Sequence, residues 1–147
     1  MYAHTNSMVL IIPNLTQNVS LARVAVAAFA SQLHFSLSEI EELKVAVSEA
    51  VTNAVLHAYD GPGEIRVEAT CHDGFIEVCV SDCGKGISDL AEAMQPSHTT
   101  IPERMGLGFS FLESLTDSLE VESHAGRGTS IRFTKRALTA RTEDSRP

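Results

Sequence analysis

The stretch Leu43–Tyr59, LKVAVSEAVTNAVLHAY, decides how the rest of the chain is read. Leu43, Val47, Ala50, Val51, Ala54 and Ala58 recur at helical spacing and form one apolar stripe. Val45, Ala46 and Leu56 fall on other sides, so the helix is apolar over most of its girth. Glu49, Asn53 and His57 stand at i, i+4 and i+8, in a single line beside that stripe. A carboxylate and a carboxamide in mid-helix, flanked by apolar residues, are costly unless they have partners. Read alone, a solvated strip or a local hydrogen bond from Asn53 to Glu49 is the commoner explanation.

Upstream of this helix, Ser36 and Ser38 offer N-caps, with Glu39, Glu41 and Glu42 where the helix dipole favours acid. An earlier helix is expected from near Gln17 to near His34, capped by Asn14 or Thr16. Its apolar positions are Leu21, Val24, Ala25, Ala28, Phe29 and Leu33. Met8–Ile12, closed by Pro13, reads as an edge strand.

Downstream, Asp60-Gly61-Pro62-Gly63 breaks the helix, and the period changes to two. Ile65, Val67 and Ala69, then Ile76, Val78 and Val80, alternate with polar residues around Asp73-Gly74, a hairpin signal. A Gly-rich loop, Asp82-Cys83-Gly84-Lys85-Gly86, ends the second strand. A short helix over 87–94 with Ser88 as cap, and a lid-like loop over 95–105, follow. Gly106-Leu107-Gly108 opens a last helix, and Leu119–Glu122 and Thr129–Phe133 form a second hairpin. The fold class is therefore α+β: a two-layer α/β sandwich, helices on one face of a mixed, mainly antiparallel sheet. One domain is expected over 1–136, with a disordered tail over 137–147.

Composition narrows the function. The chain has 147 residues, 44% hydrophobic and 20% charged, with a formal net charge of −8. That charge argues against nucleic acid as a partner, since phosphate backbones call for clustered Lys and Arg. No apolar run reaches the ~20 residues needed to span a bilayer, and the N-terminus does not read as a signal peptide. Cys71, Cys79 and Cys83 are odd in number and lack a paired CxxC, so reduced thiols in a cytoplasm are expected.

Three polar features then require a common site. The first is the Glu49/Asn53 line. The second is Asp82-x-Gly84-x-Gly86, a carboxylate beside backbone that can approach a ligand closely; an ordinary Asp-Gly turn is the alternative. The third is Gly106-x-Gly108 at a helix start, where free amides and the dipole favour phosphate; a glycine-capped linker is the alternative.

In this order and spacing the chain resembles the GHKL superfamily of ATPases and kinases. Glu49-x-x-x-Asn53 is similar to its N box, Asp82-x-Gly84-x-Gly86 to its first glycine box, Gly106-x-Gly108 to its second, and Gly128-Thr129 to its late Gly-Thr element. Within it the chain resembles the anti-sigma F factors, a family of small serine-protein kinases of spore-forming bacteria. The strings SLARVAVAAF, VAVSEAVTNAVLHAY, GISDLAEAMQP and GTSIRFTK carry that likeness.

The resemblance implies an ATP-binding (Bergerat) fold and a set of roles. Glu49 would be the general base and Asn53 the Mg2+ ligand. Asp82 would accept from the adenine amino group, with Gly84 and Gly86 giving the base room. Ile87, Thr99, Thr100, Arg104, Gly106, Leu107, Gly108 and Thr129 would complete the ATP site. Arg23 would contact a protein partner from the helix face opposite Val24 and Ala28. The implied partners are a sporulation-type sigma factor, an anti-sigma factor antagonist phosphorylated on serine, and a second copy in a homodimer. No helix bearing a phospho-accepting histidine precedes the ATP region, so a serine kinase rather than a histidine kinase is expected. A nucleotide-gated sigma-binding module without kinase activity, and a stress-response anti-sigma kinase, are the rival readings.

Overall fold

A computed structural model describes residues 5–86 and 109–138. Its strands are β1 (Asn6–Pro13), β2 (Glu64–His72), β3 (Phe75–Asp82), β4 (Ser118–His124) and β5 (Gly128–Arg136). Its helices are α1 (Asn18–Ala30), α2 (Leu37–His57) and α3 (Phe109–Leu115). The sheet order is β1-β2-β3-β5-β4, and every pair in it is antiparallel. The expected edge strand is therefore present, and no parallel pair joins it among the described residues.

Alternation along the strands sends one set of side chains under the helices. Ile65, Val67 and Ala69 of β2, Ile76, Val78 and Val80 of β3, and Ile131 and Phe133 of β5 are buried. Arg66, Glu68, Glu77 and Arg132 take the other face, which is open to solvent. Register fixes this arrangement: Val67 pairs with Val80, and Val80 with Ile131. A slip of one residue would turn every apolar side chain outward.

The stripe on α2 packs as its spacing demands. Leu43, Val47, Ala50 and Val51 are fully buried, and Ala54 and Ala58 nearly so. Ser36 begins the helix with a capping box: its hydroxyl accepts from the Glu39 amide, and the Glu39 carboxylate accepts from the Ser36 amide.

The stripe on α1 is corrected in part: Phe29 and Leu33 pack against the core as expected, but the other positions shift. Ala22, Val26 and Ala30 face the core, while Leu21 is 48% and Val24 58% exposed. The α1 sequence is apolar nearly all round, so helical spacing fits more than one face, and small residues lie where the helix sits deepest. The cap is also corrected. Gln17 occupies the N-cap without a side-chain bond. Asn14 is engaged elsewhere: it donates to the Gly61 carbonyl at 3.0 Å and accepts from the Gly63 amide at 2.9 Å. The helix stops at Ala30, short of His34, and at its end the Ser31 and Gln32 side chains donate to the carbonyls of Ala28 and Phe29.

Two polar links tie the layers together. Buried Lys135 of β5 donates to the Glu42 carboxylate on α2 and to the Leu115 carbonyl at the end of α3, each at 2.8 Å. A cation at a helix C-terminus is favourably placed for the dipole. Beyond β5, Ala137 is buried and donates to the Gly74 carbonyl, and the Leu138 amide donates to Glu39 at 2.7 Å. Of the first two residues of the expected tail, 137 is therefore packed against the domain, and 138, with an exposed side chain, is bonded to it through its amide.

Candidate nucleotide site

Helix α2 lies across β3 and β5, so its polar line is carried to the end of the sheet where β3 stops. There a cavity is lined by Ala50, Asn53, Ala54, His57, Ala58, Val80, Asp82, Gly86, Phe109, Thr129 and Ile131. Its walls are mainly apolar, and its polar groups converge from α2, the β3 end and the start of β5. The small residues Ala50 and Ala54 of α2, and Ala58 at its C-cap, line it. Glu49 lies one helical turn before Asn53, and both are half-buried.

Asp82 is held by backbone. One carboxylate oxygen, Oδ1, accepts from the Gly84 amide at 2.9 Å and from the Thr129 amide at 3.3 Å. Burial pushes its carboxyl above the usual carboxylate value, and the two amides oppose that shift. With Oδ1 committed, Oδ2 is the oxygen left to accept from a ligand.

The glycines also answer a packing demand of the fold itself. A Cβ on Gly84 would lie 2.0 Å from the Ala58 carbonyl oxygen. At Gly86, with φ +74°, it would lie 2.2 Å from the His124 carbonyl oxygen. These residues let the loop pass between the C-terminus of α2 and the β4–β5 turn. Two hydrogen bonds seal the passage: Lys85 N–H to Ala58 O at 2.7 Å, and Gly126 N–H to Lys85 O at 2.6 Å. Gly84→Ala is expected to destabilise the fold by about 1–3 kcal/mol or more, because backbone must shift. Gly61→Ala, with nothing within 4 Å of the added carbon, is the control. Thermal melts without nucleotide read both.

The remaining expected residues divide in three. Thr129 reaches the cavity, its hydroxyl 2.8 Å from Ser123 Oγ. Arg23 bridges α1 and α2, donating to Ser48 at 3.3 Å and Ser20 at 3.0 Å. Ile87, Thr99, Thr100, Arg104, Gly106, Leu107 and Gly108, with the lid and its short helix, lie outside the described residues. Lys85 pairs with Asp60 at 3.0 Å on the exposed loop. Val80, Phe109 and Ile131 line the cavity without having been expected there. Alternation marks Val80 and Ile131 as inward, yet nothing in the sequence says which inward residues line a cavity.

The donor set suits the implied ligands. The cavity joins apolar walls to one carboxylate acceptor, which fits a purine base carrying an amino group. Among the described residues no group of three or more His, Cys, Asp or Glu could hold a metal alone. Asn53 offers a single hard oxygen, which fits Mg2+, an ion that takes its other ligands from phosphate and water.

Comparison with known proteins agrees with this geometry. Residues 12–135 match the family model described as histidine kinase-like ATPase domain. The anti-sigma F factor of Caldanaerobacter subterraneus subsp. tengcongensis is 47% identical over 135 residues, covering 90% of this chain and 94% of that protein. Those of Lysinibacillus sphaericus and Bacillus subtilis are each 43% identical, covering 93% and 88% of this chain and 97% and 92% of theirs. Among solved structures, the blue-light activated histidine kinase of Erythrobacter litoralis aligns with a TM-score of 0.58 at 22% identity, over 74% of this chain and 33% of that one. At that identity the structural likeness speaks for the fold alone. Together, the family model over residues 12–135 and the near-full-length relatives show that the chain belongs to the anti-sigma F factor family of the histidine kinase-like ATPases.

Proposed function

We propose that this chain is a cytoplasmic anti-sigma factor that is also a serine-protein kinase. It binds a sporulation-type sigma factor and phosphorylates a serine on the anti-sigma factor antagonist, using ATP with Mg2+. The observation that supports this reading most is the cavity shared by Asn53, Asp82, Gly86 and Thr129, with Glu49 one turn away on the same helix. Asp82 accepts from the adenine amino group, and the apolar walls exclude water from the base. Asn53 holds the ion, and Mg2+ when bound offsets the phosphate charge. Glu49 takes the proton of the incoming serine hydroxyl.

The protein partners dock, in this reading, on α1. Leu21 and Val24 expose apolar surface on the helix that carries Arg23, a common makeup for a docking patch, and a homodimer has the same need. Because Arg23 already touches Ser48, next to Glu49 in the chain, its loss would loosen α1 against α2 as well. Arg23→Ala is expected to weaken sigma and antagonist binding at least ~10-fold, the scale of an interface anchor. Unchanged affinity for both, measured by calorimetry, would take Arg23 out of the interface.

The decisive experiment is transfer of labelled γ-phosphate from Mg-ATP to the antagonist of the same genome. Label on an antagonist serine is the expected result. Tight ATP binding without label would make the chain a nucleotide-gated binding module instead.

A further inference from the structure

The adenine-side loop is fastened at the residue after Asp82 by a side chain with no part in the chemistry above. Tyr59, just past α2, donates its hydroxyl to the Glu64 carbonyl at 2.6 Å and accepts from the Cys83 amide at 2.9 Å. A phenol has one hydrogen to give, and here it is used; its oxygen serves the loop. The ring lies over Gly63, where an added Cβ would come within 2.5 Å of it. Gly63 is in turn held by Asn14, whose backbone amide and side chain both bond to it. Tyr59 therefore links a fixed turn at the head of β2 to the peptide that follows Asp82. The other fasteners, Ala58 O to Lys85 N and Gly126 N to Lys85 O, act two residues further on.

We infer that Tyr59 is the positioning residue for base discrimination: its hydroxyl pins the Asp82–Cys83 peptide so that the Asp82 carboxylate meets the amino group of the purine. The inference rests on the nucleotide site proposed above. A contact made through one oxygen of a half-buried carboxylate is worth its full amount only when the carboxylate is held in place beforehand. Tyr59→Phe keeps the ring on Gly63 and removes only the hydroxyl. Cys83 is exposed, so water can satisfy its amide, and the fold survives. What is lost is the bond that fixes the peptide immediately after Asp82, while the Gly84 and Thr129 amides still hold Oδ1.

ATP and ITP separate these effects, since they differ at the six-position, amino against carbonyl. For Tyr59→Phe, ATP affinity should fall about five- to tenfold while ITP affinity stays within about twofold, the loss of one well-placed hydrogen bond. Titration calorimetry of parent and variant with both nucleotides reads this, beside melts without nucleotide. Equal weakening of ATP and ITP, or no weakening of either, overturns the inference and leaves Tyr59 a structural residue. If the parent itself shows no preference for ATP over ITP, the Asp82 base contact fails and the inference falls with it. A preference in the parent that survives intact in the variant overturns the role of Tyr59 alone.

Discussion

Glu49→Gln should abolish phosphate transfer to the antagonist, lowering the rate about 10²- to 10⁴-fold, while ATP still binds close to parental affinity. Position 49 sits on α2 between buried Ala46, Val47 and Ala50, so its backbone is fixed by the core and a substitution there does not wander. Gln has nearly the size and shape of Glu and a comparable helix propensity, so α2 and its capping box are undisturbed. It also keeps a carbonyl oxygen that can accept a hydrogen bond. What it cannot do is take a proton from a serine hydroxyl. In the proposed site the binding contacts are those of Asp82 and Asn53, which line the cavity where Glu49 does not, so they are expected to be retained. Rate lost with affinity kept marks a group acting in the transition state. Full transfer by Glu49→Gln would assign the base to another residue. Loss of ATP affinity together with rate would make Glu49 part of the binding site rather than its base.

Much of the fold is legible in the sequence because local and tertiary demands agree. The α2 stripe, the Ser36 cap, the Asp73-Gly74 hairpin and the β2 and β3 alternation are each set by residues within one element, and each matches the structure. The differences arise where a choice depends on distant neighbours. On α1 several apolar faces fit the period, and only the packing of Ala22, Val26 and Ala30 against the other elements selects one. Asn14 has the chemistry of a cap, but the turn at Gly61–Gly63, far along the chain, takes its side chain. Arg23 looks turned away from the other elements only when the Val24 face of α1 is taken as inward; it reaches Ser48 of α2 instead. At the site, the spacing of Glu49, Asn53, Asp82, Gly84 and Gly86 is visible, whereas the packing demand on the glycines is not. Spacing shows that a Cβ is absent; it does not show that the Ala58 and His124 carbonyls occupy its place. Tyr59 carries no signal at all, since a tyrosine at a helix end is ordinary until its two partners are known.

Asp82→Asn should weaken ATP binding by more than tenfold, about 1.4 kcal/mol or more, and invert the preference between ATP and ITP. The geometry makes the substitution clean. The Asn carbonyl oxygen can replace Oδ1 and keep the amides of Gly84 and Thr129, now 2.9 and 3.3 Å away, so the loop is retained. The amide nitrogen then replaces Oδ2, and a donor faces the donor of adenine. Inosine presents a carbonyl at that position, so ITP gains the bond that ATP loses. The same carboxylate predicts a pH dependence. Burial raises its folded-state pKa, so the ionised form is disfavoured by the fold, and Asp82 contributes more to stability of the free protein as pH falls through that raised value. In the proposed site ATP binding runs the opposite way: with Oδ1 held by two amides, a proton would sit on Oδ2, the oxygen that would accept from adenine. In the parent, ATP affinity should therefore drop on acidification at a higher pH than an exposed aspartate would give. In Asp82→Asn this acid-side loss should disappear. Calorimetry with ATP and ITP from neutral to mildly acidic pH tests both statements. An Asp82→Asn variant that binds ATP as the parent does, with the same acid limb, would move the base contact away from residue 82 and with it the reading of the cavity as an adenine pocket.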